Sequence, residues 1–139
     1  MTWLAFDVGT RRIGVALGSS LTGARPLEVL NAQKAEASFQ RALQLLREWG
    51  AQGAVVGIPY ALDGSEQPMT AVARAFAEAL QARTSVPVEL ADERYSSKSA
   101  DRRFAELRAA GVMRKKDAML QDAMAAAMIL ENFLATRHE

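Results

Sequence analysis

The stretch from Trp3 to Ala16, Trp-Leu-Ala-Phe-Asp-Val-Gly-Thr-Arg-Arg-Ile-Gly-Val-Ala, constrains the fold more than any other part of the chain. An apolar run carries one acid, Asp7, to its end. Gly9 turns the chain, Arg11 and Arg12 follow, and a second apolar run spans Ile13 to Leu17. The pattern reads as a β-hairpin with a lone carboxylate on an inner strand. Gly9 and Gly14 sit where the backbone must bend tightly or be approached closely. An acid inside a core strand is costly unless a cation or a donor meets it. The alternative is a turn residue that accepts backbone N–H bonds.

The rest of the chain alternates strands with helices. Arg25-Pro26 opens a short third strand, Leu27 to Leu30. A helix beginning at or just before Ser38 carries a stripe of Phe39, Ala42, Leu43, Leu46 and Trp49, ended by Gly50 and Gly53. Gln52 to Ile58 is nearly continuous in apolar residues, as in a strand covered on both faces. Pro59 stops it, and a loop with Asp63-Gly-Ser65 follows. Pro68 opens a second helix with the stripe Val72, Ala75, Phe76, Ala79 and Leu80. Val86 to Leu90 is a short strand that Pro87 confines to an edge or a strand start. Asp92 and Glu93 lie at its exit. Ser96 and Ser97 are N-cap candidates for a helix to about Ala110, and Gly111 breaks it. A last helix runs from about Asp117 to Thr136. Alternation after a β-meander implies an α/β fold, a mixed sheet with helices on both faces.

With 139 residues and no linker, repeat or low-complexity tract, the chain is expected to form one domain, 1–139. It has no cysteine, and its one histidine, His138, is next to last, so zinc and serine–histidine chemistry are disfavoured. No apolar run reaches membrane length and no signal-peptide pattern opens the chain, so a soluble, cytoplasmic protein is expected. Net charge is only +1, but it is unevenly placed. From Arg94 to Lys116 stand eight bases (Arg94, Lys98, Arg102, Arg103, Arg108, Arg114, Lys115, Lys116) against two acids. From Glu28 to Glu93 there are nine acids against five bases. Such asymmetry suits one face to polyanions, although a solvated helix face has the same look.

Three places bring acids forward: Asp7, the Asp92-Glu93 pair, and Asp122 on the last helix. Counted by threes and fours, the Asp122 face holds Ala118, Ala125, Ala126, Ile129 and Phe133. Small residues there let the helix press closely on the sheet, and an acid on that stripe demands a partner. Without histidine or cysteine, a hard cation such as magnesium or manganese suits the carboxylates. The competing partner is a guanidinium, Arg11 or Arg12, in a buried ion pair with Asp122. Asp117 fits an N-cap better than a ligand.

Four blocks, in order and spread over essentially the whole chain, resemble the YqgF/RuvX family. They are Asp7 to Ala16, Gly57-Ile-Pro-Tyr-Ala-Leu-Asp-Gly-Ser65, Asp92-Glu-Arg-Tyr-Ser-Ser97, and Asp122-Ala-Met-Ala-Ala-Ala-Met-Ile-Leu130. The resemblance implies a ribonuclease H-like fold, with a three-stranded antiparallel meander and two parallel strands in one five-stranded sheet. It implies a nuclease of the kind associated with Holliday junction resolution or with maturation of the small-subunit (16S) ribosomal RNA precursor. Its acidic triad carries over to Asp7, Glu93 and Asp122 as catalytic, metal-holding residues for Mg2+ or Mn2+, two ions being expected. Asp92 is the substitute ligand, since neighbours on a strand alternate faces. Arg11 matches a phosphate-facing position. Arg12, Arg94, Lys98, Arg102, Arg114, Lys115 and Lys116 complete the nucleic-acid-binding set. Tyr95 departs from a leucine common in the family and is read as half-buried rather than as a base-stacking ring.

Two other classes compete with the nuclease reading. The Asp-Val-Gly-Thr opening also resembles the actin-like and sugar-kinase superfamily, but a chain this short leaves no room for a second lobe. A non-catalytic nucleic-acid-binding or regulatory protein on the same fold is the stronger rival. A resolvase would need two active sites and hence a homodimer, for which the sequence offers no clear interface.

Overall fold

The elements run β1 (Trp3–Val8), β2 (Arg12–Ser19), β3 (Gly23–Asn31), α1 (Ala35–Glu48), β4 (Gly53–Ile58), α2 (Pro68–Gln81), β5 (Val88–Asp92) and α3 (Ala118–Thr136). They come from a computed structural model that describes residues 1–94 and 118–137 and, between them, 102, 105, 106 and 109. Arg102, Ala105, Glu106 and Ala109 are helical and exposed, in line with the helix expected there. Tyr95, Ser96, Ser97, Lys98, Gly111, Arg114, Lys115, Lys116, Asp117 and His138 lie outside the described residues.

One five-stranded sheet has the order β3-β2-β1-β4-β5, so the strand that opens the chain becomes its centre. β1 pairs antiparallel with β2, Asp7 opposite Gly14, and parallel with β4. β4 in turn pairs parallel with β5, Ile58 opposite Asp92. Central position explains composition. β4 is buried at every residue, and Trp3, Leu4, Ala5 and Phe6 are wholly buried in β1.

Strand alternation sorts side chains onto two faces. Leu4, Phe6, Val8, Ile13, Val15, Leu17, Ala54, Val56 and Ile58 join α1 and α2 in one core. Trp3, Ala5, Ala16 and Val55 join Met124, Ala126, Ala127, Leu130 and Leu134 of α3 in the other. Trp3 meets Phe133 edge-on at 4.9 Å between ring centroids. Helices therefore cover both faces, and the same count puts Asp7, Arg12 and Gly14 on the α3 side.

Helix α3 can sit there because Gly14 has no side chain. A Cβ at that position would fall 1.9 Å from the Asp122 carbonyl oxygen and 2.9 Å from the Ala123 nitrogen. Small residues on the helix do the matching work, Ala123, Ala126 and Ala127 all being buried.

Four details differ from the sequence expectation. Strand β3 begins at Gly23 rather than Leu27, because β2 continues through Ser19 and pairs back to Gly23, with a register shift between Val15 and Ala16. On α1 the buried positions are Ser38, Ala42, Leu45 and Leu46, leaving Trp49 exposed at the helix end under the Arg25 guanidinium, 5.3 Å from the ring centroid. On α2 the stripe is Thr70, Ala73, Phe76, Ala77 and Leu80, and Val72 is exposed. Strand β5 starts at Val88, two residues late, while the Pro87 carbonyl accepts the Ala54 N–H at 2.9 Å. Pro87 has no N–H to give to a ladder and stands just before β5, which is the edge strand of the sheet.

Replacing Gly14 with alanine is expected to cost about 3 kcal/mol, the upper end for overpacking, because both clashing groups are backbone. The check is a lowered urea midpoint at unchanged slope. A loss below about 0.5 kcal/mol, within the scatter of ordinary surface substitutions, would contradict the seating of α3 on this strand.

Candidate active site

At the end of β1 the hairpin closes tightly, with the Gly9 N–H bonded to the Arg12 carbonyl at 2.9 Å. Asp7 stands just before this turn, on the face covered by α3. It is largely buried, and its carboxyl is raised to about 6, first by loss of solvent and then by the negative field of Asp122. Asp7 accepts no turn bond among the described residues, and the field of a second acid, Asp122, reaches it.

Alternation separates Asp92 from Glu93. Glu89 and Ala91 point to the α3 side, Glu89 pairing with Arg137 and Ala91 packing on the Trp3 core. Glu93 is next in that series, tied to the sheet by its N–H to the Ile58 carbonyl at 3.1 Å. Its carboxyl carbon lies over Gly57, where an added Cβ would come within 3.1 Å of it and within 2.5 Å of Ile129. Glu93 is raised to about 7 by burial of the carboxyl, by Asp7 and by Asp92. The residue as a whole is exposed, and solvent screens that shift.

Asp92 has the opposite environment. Arg94 holds it through Nε at 3.0 Å and Nη2 at 2.7 Å, with the Arg94 N–H adding a bond at 2.9 Å. These contacts keep its carboxyl below the usual carboxylate range.

Asp122 comes from the first described turns of α3 and is one-third exposed rather than buried, because the true core stripe, Ala123, Met124, Ala126, Ala127 and Leu130, runs beside it. Its Oδ2 accepts a bond from Arg12 Nε at 2.5 Å. The guanidinium partner weighed from sequence is thus present, but at the surface. Arg11 is exposed.

Three carboxylates from β1, the β5 exit and α3 therefore share one end of one sheet face, Asp7 coupled to Asp122 and Glu93 coupled to Asp7. Among the described residues no three such side chains are gathered tightly enough to enclose an ion as they stand, Asp122 being turned to Arg12. The donor set itself fits a hard divalent cation: all oxygens, with Asp7 and Glu93 forming no ion pair among the described residues. A cavity of about 200 Å3 opens alongside, walled by Glu93, Ala125, Met128, Ile129 and Asn132.

A structured loop forms the opposite rim, as the Gly57–Ser65 block suggested. Tyr60 bridges to Glu66, and Asp63 accepts both the Ser65 N–H at 2.9 Å and its hydroxyl at 2.6 Å. Arg74 bonds the Tyr60 hydroxyl at 2.7 Å. Buried Thr70, which also bonds the Pro59 carbonyl, fastens the loop to α2. The Arg94 guanidinium lies 5.4 Å from the Tyr60 ring centroid. That linking role of Arg94 had no signal in the sequence, since Asp92 and Arg94 are two residues apart and their pairing depends on where the turn bends.

The architecture is a ribonuclease H-like fold of the resolvase type. T. thermophilus RuvC in complex with Holliday junction substrate matches it with a TM-score of 0.62, over 99% of this chain and 96% of that one, at 16% identity. At that identity the likeness concerns fold alone. The RuvX family profile, described as Holliday junction resolvase, matches residues 1–136, and the chain belongs to that family. A protein of Xylella fastidiosa (strain M23) named "Putative pre-16S rRNA nuclease" is 49% identical over 133 residues, 95% of this chain and 86% of the relative. One of the same name from Xanthomonas oryzae pv. oryzae (strain PXO99A) is 47% identical over 135 residues, 96% of this chain and 87% of the relative.

The acid environment fixes a pH dependence. The folded protein holds protons on Asp7 and Glu93 at pH values where the unfolded chain has lost them. Metal-free stability should therefore fall as pH rises from about 4 to about 7. Asp7→Asn should flatten that fall and recover on the order of 2 kcal/mol at pH 8. Denaturant midpoints across the pH range, in the presence of a chelator, provide the check. An unchanged or steeper profile in the variant would contradict the placement of Asp7.

Proposed function

We propose that this chain is a metal-dependent nuclease that hydrolyses phosphodiester bonds in structured nucleic acid, working in the cytoplasm as one domain over residues 1–139. The observation that carries the reading is the meeting of Asp7, Glu93 and Asp122 on one sheet face, with two of them pushed upward by burial and by each other. Mg2+ or Mn2+, in a two-ion arrangement, would supply an activated water and stabilise the leaving oxygen.

Asp7 feels Asp122, and Glu93 feels Asp7, so Asp7 is the middle carboxylate and the one suited to bridging. Glu93 and Asp122 would hold the flanks. Gly57 leaves the space that lets the Glu93 carboxyl lie over the sheet. Arg94 withdraws Asp92 from competition and keeps the rim loop beside the acids. Phosphate contacts fall to Arg11 and Arg12 at the hairpin tip, to Arg94, and to exposed Arg102. Lys98, Arg114, Lys115 and Lys116 extend the basic set along the sequence. Binding through these residues should weaken steeply with salt.

Relatives at 47–49% identity are named for the 16S precursor, which favours RNA, whereas the family's description favours a four-way DNA junction. The junction reading additionally requires a homodimer, since two strands must be cut. The Arg12–Asp122 pair gives the non-catalytic rival its one support, because an acid already matched by a guanidinium needs no ion.

The test is a panel of junction DNA, flap DNA, single strands and 16S precursor RNA with Mg2+ or Mn2+, run beside Asp7→Asn. Cleavage of at least one structured substrate by the parent protein is expected. Asp7→Asn should reduce that rate at least a hundredfold, a drop of about 3 kcal/mol in transition-state stabilisation, while still binding. Undiminished cleavage by the variant would remove Asp7 from the site. Thermal stabilisation by divalent ions with no cleavage of any substrate would establish the binding-only reading.

A further inference from the structure

We infer that Arg12 is a positioning residue: it holds Asp122 away from the ion site until a backbone phosphate takes its guanidinium, which couples metal binding to nucleic-acid binding. The inference rests on the nuclease reading above and concerns how that site is completed.

The geometry follows from the register. Arg12 and Gly14 point to the same face of β2, and the Asp122 carbonyl lies directly over Gly14. An arginine two residues before that contact reaches the Asp122 side chain and bonds it, Nε to Oδ2, at 2.5 Å. Asp7 is the cross-strand partner of Gly14, so the same carboxylate also stands within the electrostatic field of Asp7. Asp122 thus has two claimants, an arginine and an ion shared with Asp7. As the side chains stand, the arginine has it, and among the described residues no three acids are gathered around an ion-sized space.

The pair is poised to exchange. The Arg12 side chain is 45% exposed and that of Asp122 33%, so water screens their attraction. Arginine binds phosphate oxygens with the same fork it offers a carboxylate. A nucleic-acid phosphate arriving at the hairpin tip therefore replaces Asp122 on Arg12 at little cost and releases it toward Asp7. Reciprocity then requires bound metal to favour nucleic acid as much as nucleic acid favours metal.

Mn2+ titration calorimetry without nucleic acid reads this directly. Arg12→Gln is expected to bind Mn2+ about fivefold to tenfold more tightly than the parent protein, the equivalent of one weak ion pair. Arg12→Lys, which keeps the charge but loses the Nε–H bond, should lie between them. Arg11→Gln removes the same charge one residue away from the pair and should stay within about twofold of the parent, as a screened surface charge does. Equal or weaker binding by Arg12→Gln, or equal tightening by Arg11→Gln, overturns the inference, since a structural role predicts the first and general electrostatics the second. Those results leave the nuclease reading intact if the parent still binds Mn2+ and cleaves. A parent that binds no Mn2+ overturns both. Should Arg12→Gln melt well below the parent, the comparison of Arg12→Lys with the parent decides: tighter binding supports the inference, and equal or weaker binding overturns it. The second readout is affinity for a short DNA hairpin by fluorescence anisotropy with and without Ca2+. The parent gains affinity with the ion, and Arg12→Gln loses that gain.

Discussion

The rest of the structure depends on the contact between the backbone of α3 and the bare backbone of β2 at Gly14. A Cβ there would overlap the Asp122 carbonyl, so the helix reaches this depth only over glycine. Depth determines chemistry in this fold. Asp7 lies across the hairpin from Gly14 and Arg12 two residues before it, so the seating of one helix turn brings two acids and a guanidinium together. The alanines of α3 serve the same end, burying little area each but letting backbones approach.

Around that contact, negative charge is distributed unequally. Asp92 and Asp122 each have a guanidinium, whereas Asp7 and Glu93 have each other and partial burial. Unpaired carboxylates in a half-dry setting destabilise a fold. Retaining them makes physical sense if a cation is their natural complement, and the oxygen-only donor set selects a hard one. The arginines therefore occupy two of the acids, Arg94 holding Asp92 and Arg12 holding Asp122.

Much of this was legible in the sequence, and the reasons are specific. Asp7 stands out because it interrupts an apolar strand, whereas alternation only separates Asp92 from Glu93, and it is the family resemblance that favours Glu93. The alternation of strands and helices implies a mixed sheet with helices on both faces, the five-stranded arrangement comes with the family resemblance, and Pro87 leaves both an edge and a strand start open for β5. Elsewhere the sequence underdetermined the outcome. Periodicity puts Trp49 on the α1 stripe, yet its ring stays at the surface beside Arg25 instead of entering the core. Asp122 was expected to be buried, since periodicity gives the direction of a stripe but not its edge, and one position of rotation separates a core residue from a rim residue. The Arg94 link between Asp92 and Tyr60 joins a turn to a distant loop, which no local pattern encodes. Most of the basic stretch, Lys98 and Arg114 to Lys116 included, lies outside the described residues.

On the proposed reading, carboxylates more than a hundred residues apart along the chain together take up a divalent ion over the end of the central strand. Anomalous scattering from crystals grown with Mn2+ measures it most directly. The account predicts a manganese peak in contact with the carboxylates of Asp7 and Glu93. Manganese bound elsewhere on the surface, with Asp7 and Glu93 left uncoordinated, would contradict it.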